Sequence, residues 1–341
     1  MIVLSESPVL STDIEPQFAP GKPVIVHAPA LPDMDAARDW LDGRREALLA
    51  LLREQGNFLL RGLPVSSAED FAVVRDALIA HRAQYKEKAT PRRGYGNDIY
   101  SSTEIPPMHV IRQHNENSYT LDFPGMLAFC CLQAPDSGGA TPIADVRKVL
   151  SAVPPELAQR FRRHGWLLLR NYNSQVSLPW TTSFATTERA EVEAYCERHL
   201  ISATWNDDDS LTTRQYRPAV VAHPVTGEEV WFNHVAFWNS FSLDEELREV
   251  LVENYGPTGL PFETFLGDGS ALSADEVAAL NQAYDRYTCR ESWQRGDVMV
   301  VDNILCSHGR EAYTGQRRVV VAMGEPISML DCPHSPPPRA A

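Results

Sequence analysis

After a Pro-rich entry, apolar residues recur at helical spacing through residues 33–55, where Trp40, Leu48, Leu51 and Leu52 predict helix. Asn57 to Gly62 then reads as a short buried strand closed by glycine. A second helix is predicted over 67–81, opening on Ser67 with the acidic residues Glu69 and Asp70 in its first turn. From about residue 95 the pattern changes to short apolar runs cut by Pro and Gly: MLAFCCL, TPIADV, WLLLRNY, AVVAHP and EVWFNH. Helical patterns return at 188–199, 243–254 and 273–287, and two late strands follow, Asp297–Val301 and Arg318–Met323. Short β-runs with helices at the start and in the middle predict a mainly β fold with helical decoration, a sandwich or barrel.

Regular strand–helix alternation is missing, as are GxGxxG, Walker A and GxSxG sequences, which argues against nucleotide-binding and hydrolase α/β folds. The chain has 341 residues, 43% of them hydrophobic, enough for a sizeable core, and a formal charge of −14, which opposes general nucleic-acid binding. No run approaches the apolar length of a membrane span, the N-terminus lacks signal-peptide character, and none of the six cysteines forms a CxxC. These features together predict a soluble cytoplasmic protein with reduced thiols.

The chemistry starts at Gln113-His114-Asn115-Glu116. Residues two apart point the same way from a strand or an open turn, so an imidazole and a carboxylate converge there. Alone, such a pair also serves as a hydrogen-bonded couple on a strand surface, and a metal site needs a third ligand. His308 has the right context, on a predicted loop after the buried strand that ends at Asp302-Asn303. Two imidazoles and a carboxylate on one face of a metal, with open positions opposite, are the ligands of non-haem Fe(II) oxygenases. Arg318, ten positions on at the start of an apolar strand, supplies a fixed cation for a dicarboxylate co-substrate, and Thr141 a hydroxyl beside it. A zinc hydrolase could use the same three ligands, and so could a non-catalytic cupin-like protein, but neither has a use for the Arg318/Thr141 pair.

Taken in order, HNE at 114–116, GGAT at 138–141, GDVMVVDN at 296–303, HGR at 308–310 and YTGQRR at 313–318 resemble the TauD/TfdA branch of the Fe(II)/2-oxoglutarate dioxygenases. This branch includes the clavaminate synthase-like enzymes. The likeness runs over roughly 55–325, and within the branch it is nearest to the syringomycin-type (SyrP-like) amino-acid hydroxylases. The resemblance implies a double-stranded β-helix, or jelly roll, as a single domain over 1–341. Helices at about 33–82 would precede it, with a helical insert at about 145–290 and a loose tail at about 331–341. It also implies that His114, Glu116 and His308 hold Fe(II), and that Thr141 and Arg318 hold 2-oxoglutarate. With dioxygen, 2-oxoglutarate would yield succinate and CO2 as an amino acid or amino-acid-derived substrate is hydroxylated, in specialised metabolism such as antibiotic biosynthesis. Epoxidation or desaturation is the alternative outcome of the same chemistry.

Two departures shape the expectation. Glu116 stands where taurine-type members carry Asp, as in clavaminate-type relatives, and a carboxylate there opposes halogenation. Ala322 stands four positions after Arg318, where taurine-type enzymes carry a second Arg, so a sulfonate substrate is not expected. Asn303 and Asp302 are candidates to orient the ligands, and Arg310 to touch substrate. His223 and His234 are read as structural, and Cys306 near His308 lacks an orienting third group for nucleophilic catalysis. Finally, Arg82, Lys86, Lys88, Arg92 and Arg93 cluster against the overall charge. They form either a balanced basic loop or, around Lys86, Arg92 and Arg93, a docking patch for an acidic carrier protein bearing a tethered substrate.

Overall fold

The computed structural model describes residues 14–340 except 84–86, 90–91, 103–104, 174–176 and 335. Its core is a double-stranded β-helix built from two facing sheets. The larger runs Pro16–Gln17, Ile25–His27, Asn57–Arg61, Val298–Asp302, Asp122–Gln133, Arg318–Ser328, Ile99–Ser101, Gly94–Gly96, and the smaller Thr288–Cys289, Ile143–Asp145, Cys306–Arg310, Ile111–His114. All pairings are antiparallel except Ile25–His27 against Asn57–Arg61.

Alternation along the central strands explains their unbroken apolar texture. Val298, Val300, Ala128, Cys130, Val320 and Ala322 face outward onto the N-terminal helices, meeting Leu41, Leu48, Leu51, Phe71 and Val74. Their alternates Met299, Val301, Phe129, Cys131, Val319, Val321 and Met323 face inward, onto Ile143 and Cys306 of the smaller sheet. Both faces of the large sheet are therefore buried, and only side chains on the inward set can reach the space between the sheets. All six cysteines are free thiols.

The predicted helix over 33–55 is two helices, Met34–Asp42 and Arg45–Gln55, because Gly43 and Arg44 interrupt the pattern. Arg45 then turns back to donate to the carbonyls of Ala77 and Leu78. The next helix, Ala68–Leu78, starts at a capping box between Ser67 and Asp70. The middle segment is less helical than expected. It carries its own sheet, with Trp166–Tyr172 between Leu211–Arg217 and Phe262–Leu266, packed on the barrel through Trp166, Trp231 and Phe161. Nor does the tail hang loose: Arg339–Ala340 pairs with Leu211–Arg217, and Pro333 accepts from the Ala222 amide. Among the described residues no helix is long and apolar enough to cross a membrane.

Candidate active site

His308 lies in a strand, not on a loop. Cys306–Arg310 is flanked on both sides, by Ile111–His114 and Ile143–Asp145, and in the first pairing His308 stands directly opposite His114. Cross-strand partners share a face, so the two rings meet with centroids 4.4 Å apart. Glu116 sits past the end of its strand, in a turn that continues through Asn117 at φ +55. There the side-chain amide of Asn303 clamps it. Asn303 Oδ1 accepts from the Glu116 amide at 2.7 Å, while Nδ2 donates to the carbonyls of Glu116 and Pro124 at 2.8 and 2.7 Å. Asp302 caps the turn that presents Asn303, accepting from the amides of Ile304 and Leu305 and facing His223 Nε2 at 3.1 Å. Nδ1 of His223 accepts from two backbone amides, so that ring is a neutral donor to Asp302 and has no nitrogen left for a metal.

His114, Glu116 and His308 each offer a donor atom, all within 4.8 Å of one another, and all three residues are buried. The ring chemistry suits a divalent cation. His114 Nδ1 is 2.9 Å from the Arg112 carbonyl, which can only accept; the proton is therefore on Nδ1 and the Nε2 lone pair is free. Burial lowers the His114 pKa against the opposing pull of Glu116. It holds His308 well below the usual imidazole range, reinforced by His114 and Arg92. Both rings are thus neutral, the state a metal needs. His308 Nε2 faces Glu116 at 3.7 Å, and its buried Nδ1 has no hydrogen-bond partner among the described residues.

The triad opens into a cavity of about 270 Å³, lined also by Thr141, Arg92, Arg310, Arg317, His234 and the aromatic side chains of Phe129, Phe237, Trp238 and Phe262. His234 contacts Ser118 through Nδ1 at 2.6 Å and lies edge-on to His114, a wall residue that burial keeps neutral.

Arg318 is not in this cavity: it is exposed. Arg317 takes the inward place because it is in phase with Val319, Val321 and Met323, whereas Arg318 shares the outward set with Val320 and Ala322. The alternation was readable in YTGQRRVVVAM; what hid it is the pair of adjacent arginines. Arg317 donates to the Gly139 carbonyl at 2.8 Å, to Ser102 Oγ at 3.2 Å and to Thr141 Oγ1 at 3.3 Å. Thr141 is buried in an irregular segment rather than a strand, and its oxygen also accepts from Trp293 Nε1 at 3.3 Å. With two donors on that oxygen, the Thr141 hydroxyl proton is free to be donated. Burial, then Arg310, brings the Arg317 pKa down to about 10, still charged near neutrality. Four positions after Arg317 stands Val321, buried and apolar, so the absence of a second cation at that spacing is unchanged.

The GGAT turn is built by close approach. Gly139 has φ +68, and a Cβ there would lie 2.9 Å from Tyr313 Cβ and 3.1 Å from Arg317 Cδ. Gly139→Ala is expected to cost about 1–2 kcal/mol for the left-handed backbone alone. It should also displace Arg317, seen as a lowered Tm together with weaker co-substrate binding.

Arg310 lines the cavity, but its donors go to the carbonyls of Ile105, Pro106 and His109, holding the segment that approaches His114. Cys306 is buried with its thiol pKa pushed well above the normal value by burial, and is no nucleophile. The described part of the basic cluster is divided between the surface and the cavity. Lys86 lies outside the described residues, Arg93 is exposed, and Arg82 pairs with Asp76 and Asp98. Arg92, whose side chain is 8% exposed, turns inward, with one Nη 2.8 Å from both oxygens of Glu116.

Residues 19–323 match the family described as "Taurine catabolism dioxygenase TauD, TfdA family". The dapdiamide synthesis protein DdaC of Enterobacter agglomerans is 34% identical over 84% of this chain and 87% of its own length. A clavaminate synthase-like protein of Arabidopsis thaliana is 30% identical over 82% and 84%. The fold is similar to that of PvcB from Pseudomonas aeruginosa, with a TM-score of 0.52 at 14% identity over 96% of this chain and 95% of that one. A second PvcB structure, described as an Fe, alpha-ketoglutarate dependent oxygenase from an isonitrile synthetic pathway, gives 0.53 at 14% identity over 96% and 97%.

Proposed function

Since the chain belongs to the TauD/TfdA family of Fe(II)/2-oxoglutarate-dependent dioxygenases, we propose that it hydroxylates an amino acid or a small amino-acid-derived substrate in specialised metabolism, with Arg317 and Thr141 holding the co-substrate. The carrying observation is the placement of a half-buried, charged Arg317 and a hydroxyl with a free proton on the same cavity as the triad. His114, Glu116 and His308 would hold the iron, which when bound supplies the oxidising chemistry that converts dioxygen and 2-oxoglutarate to succinate and CO2.

The chain's own residues do the rest. The guanidinium of Arg317 pairs with the distal carboxylate of 2-oxoglutarate, Thr141 donates to it, and the Asn303 clamp keeps the Glu116 carboxylate aimed. Phe129, Phe237, Trp238 and Phe262 keep water from the reacting carbon, and a cavity of about 270 Å³ limits the substrate to a small molecule. The name of the 34% identical relative, given for dapdiamide synthesis, supports a biosynthetic setting. Delivery on a carrier protein is the alternative to a free substrate. Of the three cations proposed for docking, Arg92 is spent inside the cavity, which favours the free form.

Anaerobic addition of 2-oxoglutarate to the Fe(II)-loaded protein is expected to raise a weak visible charge-transfer band. Aerobic incubation with amino-acid mixtures should then form succinate with one oxygen added to a product. A product that has lost two hydrogens indicates desaturation instead. No band in protein shown to hold iron would remove the co-substrate assignment.

A further inference from the structure

A guanidinium has five N–H groups, and Arg317 commits three of them to the protein. Nε donates to the Gly139 carbonyl, one Nη to Ser102 Oγ and the other Nη to Thr141 Oγ1. One N–H therefore remains on each terminal nitrogen, the pair that a carboxylate takes in a two-pronged contact. Both hydroxyl oxygens act as acceptors here, so each still has its proton to donate. Neither proton meets an acceptor among the described residues. Ser102 otherwise bonds through its amide, to the Val319 carbonyl at 3.1 Å, and Thr141 Oγ1 accepts a second time, from Trp293. Ser102, Thr141 and Arg317 all line the cavity.

Strand phase is what brings Ser102 there. Ile99–Ser101 pairs with Arg318–Ser328, placing Tyr100 opposite Val321 and Ser101 opposite Val320. Tyr100 packs with the inward set that holds Val319 and Val321, whereas Val320 belongs to the outward set. Continuing the register sets Ser102 opposite Val319, and cross-strand partners share a face, so Ser102 points inward as Arg317 does. The amide bond to Val319 fixes it in that place. Ser101 takes the other face, its Oγ accepting from the Arg93 amide at 2.9 Å. As with the adjacent arginines at 317 and 318, two like residues stand side by side and one of them reaches the cavity.

Resting on the function proposed above, we propose that Ser102 is a further binding residue for the distal carboxylate of the co-substrate. The two oxygens of an ionised carboxylate offer about four lone-pair sites. The cavity presents a donor for each: the two remaining N–H groups of Arg317 and the hydroxyls of Ser102 and Thr141. Each hydroxyl is polarised by the guanidinium bonded to its oxygen, which strengthens its own donation. A ligand with an uncharged methyl at that end would leave all of these donors unmet. Ser102 thus contributes to selection for charge at the far end of the co-substrate, and not to the end that chelates the metal.

The test uses protein loaded with Mn(II) under anaerobic conditions, so that no turnover intervenes. Two ligands of equal chain length are compared, 2-oxoglutarate and 2-oxopentanoate, which end in a carboxylate and a methyl. Calorimetry gives the affinity for 2-oxoglutarate, and displacement of 2-oxoglutarate gives that for 2-oxopentanoate. The parent is expected to prefer 2-oxoglutarate at least about a hundredfold. Ser102→Ala should lower affinity for 2-oxoglutarate about tenfold, the size of one charge-assisted hydrogen bond, and leave that for 2-oxopentanoate within about twofold. Ser101→Ala should leave both within about twofold. An unchanged preference in Ser102→Ala overturns the proposal. So does an equal loss for both ligands, which would make Ser102 a support of the fold, and so does a loss of preference in Ser101→Ala that matches the one in Ser102→Ala. A parent protein that does not prefer 2-oxoglutarate would instead strike the underlying function.

Discussion

Arg317→Gln is expected to weaken 2-oxoglutarate binding at least about a hundredfold, while Arg318→Gln leaves it within about twofold. The difference follows from strand phase. Arg317 shares the inward face with Val319, Val321 and Met323 and reaches Thr141, Ser102 and the Gly139 carbonyl; Arg318 is exposed on the opposite face. Removing one member of a buried, hydrogen-bonded charge pair costs about 3–5 kcal/mol, because the carboxylate left behind is desolvated and unpaired. A solvent-facing arginine contributes little by comparison. Glutamine keeps some of the length and the hydrogen-bonding capacity of arginine, so what is tested is the charge. The measurement is the charge-transfer band of the anaerobic Fe(II) protein, titrated with 2-oxoglutarate in the parent and both variants. Loss in Arg318→Gln with retention in Arg317→Gln would contradict the phase argument and return the co-substrate to the residue first suggested by its spacing from His308.

How much of this was legible beforehand depends on the range of the interaction involved. Local signals carried well. The run WLLLRNY is the strand Trp166–Tyr172, and the helical patterns at 188–199 and 273–287 are Arg189–Arg198 and Ala274–Tyr287. These are set by side-chain periodicity within one segment. The candidate ligand trio was legible for another reason: His114, Glu116 and His308 are chemically distinctive in their motif order, and the structure brings them together. The strand character of Cys306–Arg310 was not legible. CSHGR has no apolar alternation, and it is a strand only because neighbours 160 to 200 positions away in sequence pair with both of its edges. Arg92 was misplaced for a similar reason. Its composition reads as a basic loop, and nothing within the segment reveals that Arg170 and Ser101 anchor its flanks so as to aim it at Glu116.

Asn303 is the residue for which these two kinds of information meet, and its replacement is the second large effect. GDVMVVDN marks it as a strand-end residue, which by itself means only a turn. In space its side-chain amide satisfies both the N–H and the C=O of Glu116 as well as the Pro124 carbonyl, and its own carbonyl accepts from Asn115 Nδ2 at 2.7 Å. One fully buried amide therefore sets where the candidate metal-binding carboxylate stands relative to two histidines fixed by strand pairing. Asn303→Ala leaves the Glu116 amide and two carbonyls buried without partners, at about 1–3 kcal/mol for each unmade bond, and frees the turn. Metal affinity, measured by Mn(II) titration against a competing chelator, should fall about 10–100-fold, the usual consequence of losing a residue that orients a ligand. Asn303→Asp separates orientation from bulk. Its carboxylate can still accept from the Glu116 amide, but it cannot donate to either carbonyl, and it brings a negative charge close to them. An intermediate loss of affinity in Asn303→Asp, with the His308–His114 strand pairing intact by circular dichroism and Tm, would locate the effect in the clamp. Unchanged metal affinity in both variants would mean that the Glu116 carboxylate finds the metal unaided, and that the clamp serves the turn alone.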